Sequence, residues 1–196
     1  YLNTSVLTGS ASVQIGAVNN PVPMLSTSLG NNSGTVFLNT PNNYTGGTTI
    51  LPGASVYMNA PGALGSGTIN FAGGSFFLDG FGMGNLLGPR VVSNPLALQG
   101  DAILTTLNNN TNSNLIFTAP LALSNLQSAS GPGTVRTITT NATTPLVVFS
   151  GGITDGPYGN NTLIKAGVGA LAIPGNNTFT GVLQLNQGTV LINNET

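Results

Sequence analysis

Short apolar runs return every 20 residues between positions 36 and 98, and this period constrains the fold more than any other feature of the chain. Val36, Val56, Phe76 and Leu96 fall in one register, and Leu38, Met58, Leu78 and Leu98 in a second. The residues between them are Phe37, Tyr57, Phe77 and Ala97. A further run repeats with the same spacing, Thr49-Ile50-Leu51 aligning with Ile69-Asn70-Phe71. Side chains alternate faces along a strand. The first two columns therefore share a core face, which predicts burial of Val56, Met58, Phe76 and Leu78, and the third lies outside. No window carries the 3.6-residue periodicity of an amphipathic helix, and Gly, Pro and Asn interrupt every stretch. The chain reads as all-β. A circuit of about 20 residues that repeats in register is the size of one coil of a β-solenoid, with coils stacked at roughly 4.8 Å.

After Leu98 the strict period slips. Leu115-Ile116-Phe117, Leu121-Ala122-Leu123 and Leu171-Ala172-Ile173 do not hold the register, which suggests corner insertions at Asn108 to Asn114 and at Ser124 to Gly133. This reading gives nine or ten coils and a rod roughly 45 Å long. No shift of composition marks a boundary, so residues 1–196 form one domain, either complete or a segment of a longer repeat array. Asn pairs (19–20, 31–32, 42–43, 160–161, 176–177, 193–194) and Gly pairs (46–47, 73–74, 151–152) punctuate the runs. Both residue types accept positive φ at sharp corners, and Asn amides can stack as ladders between coils. Asn42, Asn43 and Asn109 are placed at turns. The alternative is a β-sandwich or jelly roll in which these residues mark hairpins.

Only 4% of the residues are charged, against about a quarter in an ordinary soluble protein. The basic residues are Arg90, Arg136 and Lys165, and the acidic ones Asp79, Asp101, Asp155 and Glu195. With 40% hydrophobic residues the chain does not have the composition of a disordered segment. It lacks the charged coat that keeps a monomer dispersed, which leaves glycans or assembly with neighbours to do that work. The absence of any basic cluster argues against nucleic-acid binding. Apolar stretches such as Pro145 to Phe149 fall far short of the ~20 residues of a membrane helix, so no membrane span is expected. The chain opens at Tyr1, as a processed or excised piece would.

Chemistry-bearing constellations are sparse. There is no histidine and no cysteine, and general acid–base work then falls to carboxylates. Asp79 and Asp101 are about one coil apart and would be neighbours on a solenoid face, as in a glycosidase-like pair. Asp79-Gly80, Gly100-Asp101 and Asp155-Gly156 read more simply as turn dipeptides. Calcium needs clustered carboxylates, and the abundant Ser and Thr lack a base to activate them. Gly82-Met83-Gly84 and Gly131-Pro132-Gly133 lack the strand–helix context of a phosphate loop. No catalytic, cofactor or metal residue is assigned. Sequons for N-glycosylation begin at Asn3, Asn31, Asn43, Asn109, Asn141, Asn160, Asn176 and Asn194.

The stretch Lys165-Ala-Gly-Val-Gly-Ala-Leu-Ala-Ile-Pro-Gly-Asn-Asn-Thr-Phe-Thr-Gly181, continuing through Leu185-Asn-Gln-Gly-Thr-Val-Leu-Ile-Asn193, resembles the passenger-associated repeat of bacterial autotransporters. Its central part recurs as Asn42-Asn43-Tyr44-Thr45-Gly46-Gly47-Thr48-Thr49-Ile50 and Gly62-Ala63-Leu64-Gly65-Ser66-Gly67-Thr68-Ile69. Asn94 to Ile103 and Asn114 to Phe117 are similar to linking coils. Val182-Leu183-Gln184 departs from the Gly-Thr-Thr of the repeat. The resemblance implies a right-handed parallel β-helix displayed at an outer surface.

Three functions follow as expectations. The first is a non-enzymatic extracellular structural or adhesive protein, a solenoid subunit of a filament, sheath or stalk. The second is a carbohydrate- or host-binding module in which Phe37, Tyr57 and Phe77 form a sugar-stacking face. The third is a β-helix polysaccharide-degrading enzyme, for which four acids supply little. The expected partner is the chain itself, head to tail through Val190 to Asn193 and the N-terminal segment of a neighbour, with surface glycans second.

Overall fold

β-branched and aromatic residues alternating with Thr, Ser and Asn suit a pleated, half-buried surface, and Gly, Asn and Pro stop each run after two to five residues. A computed structural model of the chain describes residues 2–3, 6–16, 34–78, 90–106, 114–123, 133–141, 146–157 and 159–192. Among them there is no helix, and every strand pairing is parallel. Parallel neighbours cannot be joined by a hairpin. The sandwich alternative, which rested on hairpin turns, is therefore excluded, and the chain makes a full circuit before a strand meets its partner.

A full circuit visits three sheets in one order, although the circuit that starts at Ser55 has no strand in the second sheet and the one that starts at Thr162 has none in the third. The long sheet holds Leu2–Asn3, Thr35–Leu38, Ser55–Met58, Ser75–Leu78, Ala102–Thr106, Val135–Thr139, Thr162–Ala166 and Leu183–Leu185. The second holds Arg90–Val92, Leu115–Phe117, Val147–Phe149, Ala170–Ala172 and Thr189–Leu191; in the first circuits its place is taken by the pair Thr8–Gly9 and Asn43–Tyr44. The third holds Val13–Ile15, Thr48–Ile50, Ile69–Phe71, Leu96–Leu98, Leu121–Ala122 and Ile153–Thr154. This order is consistent with a β-helix or solenoid. The described residues make eight layers in the long sheet, fewer than the nine or ten expected, and the seven steps between them amount to about 34 Å.

The interior is one continuous apolar cluster running from Ile15 to Ile173. Four phenylalanines mark its middle. Phe117 stacks on Phe149 at 4.9 Å and meets Phe71 edge-on at 6.4 Å and Phe76 at 6.3 Å. Val56, Met58 and Phe76 are buried as expected, and Val36 is half-buried against the same cluster. Leu78 pairs with Met58 through its backbone; its side chain lies outside the described residues.

Two register assignments are corrected. Val36, Val56 and Phe76 do stack, but the next member of their column is Leu104, not Leu96. Leu96–Leu98 instead pairs with Ile69–Phe71 in the third sheet. The step between layers is 20 residues from Phe37 to Tyr57 and again to Phe77, but 28 from Phe77 to Thr105. The eight extra residues are about one face of the circuit, so a fixed period lands on a strand of similar composition in the wrong sheet. The second correction is a one-residue slip. Thr48, not Thr49, pairs with Ile69, which brings Ile50 onto Phe71. The stretch 59–68 is one residue longer than 39–47, and the corner 72–74 one shorter than 51–54, so the total stays 20 while the middle strand shifts.

The glycine pairs meet two demands, positive φ and close approach of the coils. Gly47, Gly73 and Gly152 have φ of +91°, +119° and +81°, a region glycine reaches without steric cost. Their partners Gly46, Gly74 and Gly151 lie so close to the adjacent coil that a Cβ would come within 2.4 Å of its atoms.

Candidate functional site

The described charged side chains serve the fold. Lys165 projects inward from its strand, in the column of Ala102 and Ile138, and has no exposed surface. Its Nζ donates to the carbonyls of Ala166 (2.7 Å), Gly167 (2.8 Å) and Gln187 (3.2 Å), tying two coils together. Burial holds this ammonium below its usual pKa. Arg136 is half-buried, and its guanidinium donates to the carbonyls of Leu98 and Val135. Asp101 is exposed, and its Oδ1 accepts the N–H of Thr137 in the next layer. Asp79 lies outside the described residues, so the carboxylate pair cannot be placed. Among the described residues no group of three or more His, Cys, Asp or Glu is close enough to hold a metal ion.

Asp155 clamps a corner. Its Oδ2 accepts the N–H (2.7 Å) and hydroxyl (2.8 Å) of Thr180, one coil on, while Oδ1 accepts the N–H and Nδ2 of Asn161. Burial pushes the carboxyl up, but the hydrogen bonds from Thr180 and Asn161 outweigh it and hold the pKa below the usual value. Folding thus favours the ionised form. The stabilisation is complete above the unfolded carboxyl pKa and is lost as pH falls through the folded one. The urea midpoint of the chain is expected to fall on acidification below about pH 4, and Asp155→Asn to flatten that part of the profile. An unchanged profile in the variant would remove the clamp from the account.

The asparagines do something other than the positive-φ work expected of them. Among the described non-glycine residues only Asn160 has positive φ, at +61°. Several others point inward at corners and bond backbone on neighbouring coils. Asn42 accepts the N–H of Leu7 from the layer before and donates to the carbonyl of Ala63 in the layer after. Asn161 accepts from Thr134, Asn177 from Ile153, and Asn94 donates to Gly65 and Gly67. A corner leaves strand-end N–H and C=O groups without ladder partners, and a buried amide can satisfy both kinds. Asn43 sits in a strand, not a turn, with its N–H on the Leu7 carbonyl; Asn109 lies outside the described residues. Amide contacts between layers occur as expected at Asn59 to Asn39 and Gln99 to Asn70.

Phe37, Tyr57 and Phe77 form a half-buried ladder on the outer face of the long sheet, with centroids 4.8 and 4.7 Å apart and interplanar angles of 21° and 10°. Each ring covers the face of the next. The flat faces point along the stack, toward the register positions of Leu2 and Thr105 at its ends, and the ring edges point outward. Sugar stacking needs an open ring face, so the geometry gives this ladder a packing role more readily than a binding one. A second outer row crosses the second sheet, where Val91, Ile116, Val148, Ala172 and Leu191 are in register. Val91 and Leu191 at its ends are 52% and 46% exposed.

Of the sequons, Asn43, Asn141, Asn160 and Asn176 are exposed. The side chain of Asn3 and all of Asn31, Asn109 and Asn194 lie outside the described residues. At three of the exposed sites the middle residue turns inward: Tyr44, Asn161 and Asn177. Tyr44 is buried with its hydroxyl 2.5 Å from the Thr48 hydroxyl, and burial raises its pKa. An outward Asn, an inward corner residue and a Thr make a sequon whether or not a glycan is ever attached.

No family model matches the chain, and no curated protein and no solved structure matches it either.

Proposed function

We propose that the chain is a structural or adhesive rod of an extracellular surface, a right-handed parallel β-helix that serves as one unit of a filament, sheath or stalk and has no enzymatic role. The observation that carries this reading is the outer surface. Among the described residues Asp101 alone is both charged and exposed, and rows of apolar side chains run across the layers. Such a surface suits contact with like surfaces better than solution as a monomer. The right hand follows the general handedness of parallel crossovers, and the likeness of residues 165–193 to autotransporter passenger repeats supports surface display.

Another copy of the chain is the proposed partner, adding strands next to Leu183–Leu185 and Thr189–Leu191. Leu185 and Ile192 in the last described layer are 51% and 60% exposed, and a further layer would bury them. Glycans on Asn43, Asn160 or Asn176 would sit on outward side chains without disturbing the inward corner residues. Sedimentation velocity at micromolar concentration is expected to show large species, and electron micrographs to show filaments or bundles. A stable monomer under native conditions would reject the reading.

A further inference from the structure

We propose that the folded chain is refractory at Arg136-Thr137 and Lys165-Ala166 to proteases that cut after basic residues, because the fold closes both of these bonds. The whole sequence offers only Arg90-Val91, Arg136-Thr137 and Lys165-Ala166. All three lie inside strands: Arg90–Val92, Val135–Thr139 and Thr162–Ala166. None falls in a turn or connection, and the segments 17–33, 79–89, 107–113, 124–132 and 142–145 contain no Lys or Arg whatever their conformation.

A protease of this class takes its substrate as an extended segment, pairs with the backbone edge of that segment and draws the basic side chain into a deep pocket. For Arg136 and Lys165 both backbone edges already face neighbouring strands. The Arg136 strand lies between Ala102–Thr106 and Thr162–Ala166, and the Lys165 strand between Val135–Thr139 and Leu183–Leu185. The Arg90 strand is the outer strand of its sheet among the described residues, with its N–H on the carbonyl of Asn114 at 2.7 Å and no described strand on its other side, so the Arg90-Val91 bond is left out of the proposal. The side chains are used as well. The Lys165 amine is enclosed by three carbonyls, and the Arg136 guanidinium bonds two. Cleavage then requires whole layers to separate, so its rate follows the population of the opened chain.

The inference does not depend on assembly and is tested on the dispersed or assembled chain alike. Native chain is incubated with trypsin while a chromogenic peptide in the same tube reports enzyme activity, and intact mass is followed. A parallel sample is digested in a urea concentration that unfolds the chain and spares the enzyme. Native cleavage at Arg136-Thr137 and Lys165-Ala166 is expected to be at least about 1,000-fold slower than unfolded cleavage, the lower end of folded-to-unfolded ratios for small domains. A destabilised variant, Gly67→Ala, is expected to be cut faster in proportion to its lost stability. An amine-reactive ester is expected to leave Lys165 unlabelled until urea is added. Native cleavage at Arg136-Thr137 or Lys165-Ala166 within tenfold of the unfolded rate, or rapid native labelling of Lys165, would overturn the proposal.

Discussion

Phe76→Asp is expected to abolish folding. The ring is fully buried, stacked in register between Val56 and Leu104, and packed against Phe71 and Phe117 at 6.2 and 6.3 Å. Removing a buried Phe side chain alone costs about 3–5 kcal/mol. The carboxylate adds the desolvation of a charge, and no described cation lies in that column to pair with it. The sum is comparable with the ~5–15 kcal/mol stability of a typical domain. Far-UV circular dichroism should show loss of strand signal without denaturant, while Phe76→Leu, a change of shape at similar polarity, should cost only about 1.5 kcal/mol. If the Asp variant keeps the parent's urea midpoint, position 76 does not face the core and the parallel columns are wrong.

Gly67→Ala is expected to be strongly damaging for a change of a single methyl group. An added Cβ would lie 2.3 Å from the Gly47 nitrogen and 2.4 Å from the Thr45 carbonyl oxygen. Both are backbone atoms of the preceding coil, so no flexible side chain can yield. The adjacent N–H of Thr48 donates to Thr68, and Asn94 bonds the Gly67 carbonyl, so a shift at this corner disturbs three layers. The loss should reach about 3 kcal/mol, the upper end for overpacking, read as a lowered urea midpoint. Exposed Ser66→Ala next to it should stay within about 0.5 kcal/mol. Gly175 faces Gly152 and Ser150 in the same way, at 2.2 and 2.5 Å, and Gly175→Ala should behave alike. An Ala variant at position 67 as stable as the parent would mean that the coils are not in contact at this corner.

The order of residues along the chain was enough to establish strands without helices, a repeating circuit, and stacking of Val36, Val56 and Phe76 with Phe37, Tyr57 and Phe77 on the opposite face. Each of these rests on local alternation and on a spacing held constant over two circuits, and both are written in one dimension. What the chain order left open was which strand lies over which once the circuit length changed. All three sheets bury residues of the same kind, Leu, Ile, Val and Phe, so composition cannot tell Leu96 from Leu104 as the successor of Phe76. Only the hydrogen-bonded register decides it. The asparagines teach the same lesson. Their frequency at corners was visible, but an Asn that satisfies Leu7 on one side and Ala63 on the other is recognisable only when three layers are present together. Lys165 was legible as a motif residue and not as a buried cation, because its carbonyl partner at Gln187 comes from the next circuit. Likewise, an aromatic column can be read from sequence, whereas the turning of its ring faces along the stack is set by the spacing between layers, which exists only in the folded chain.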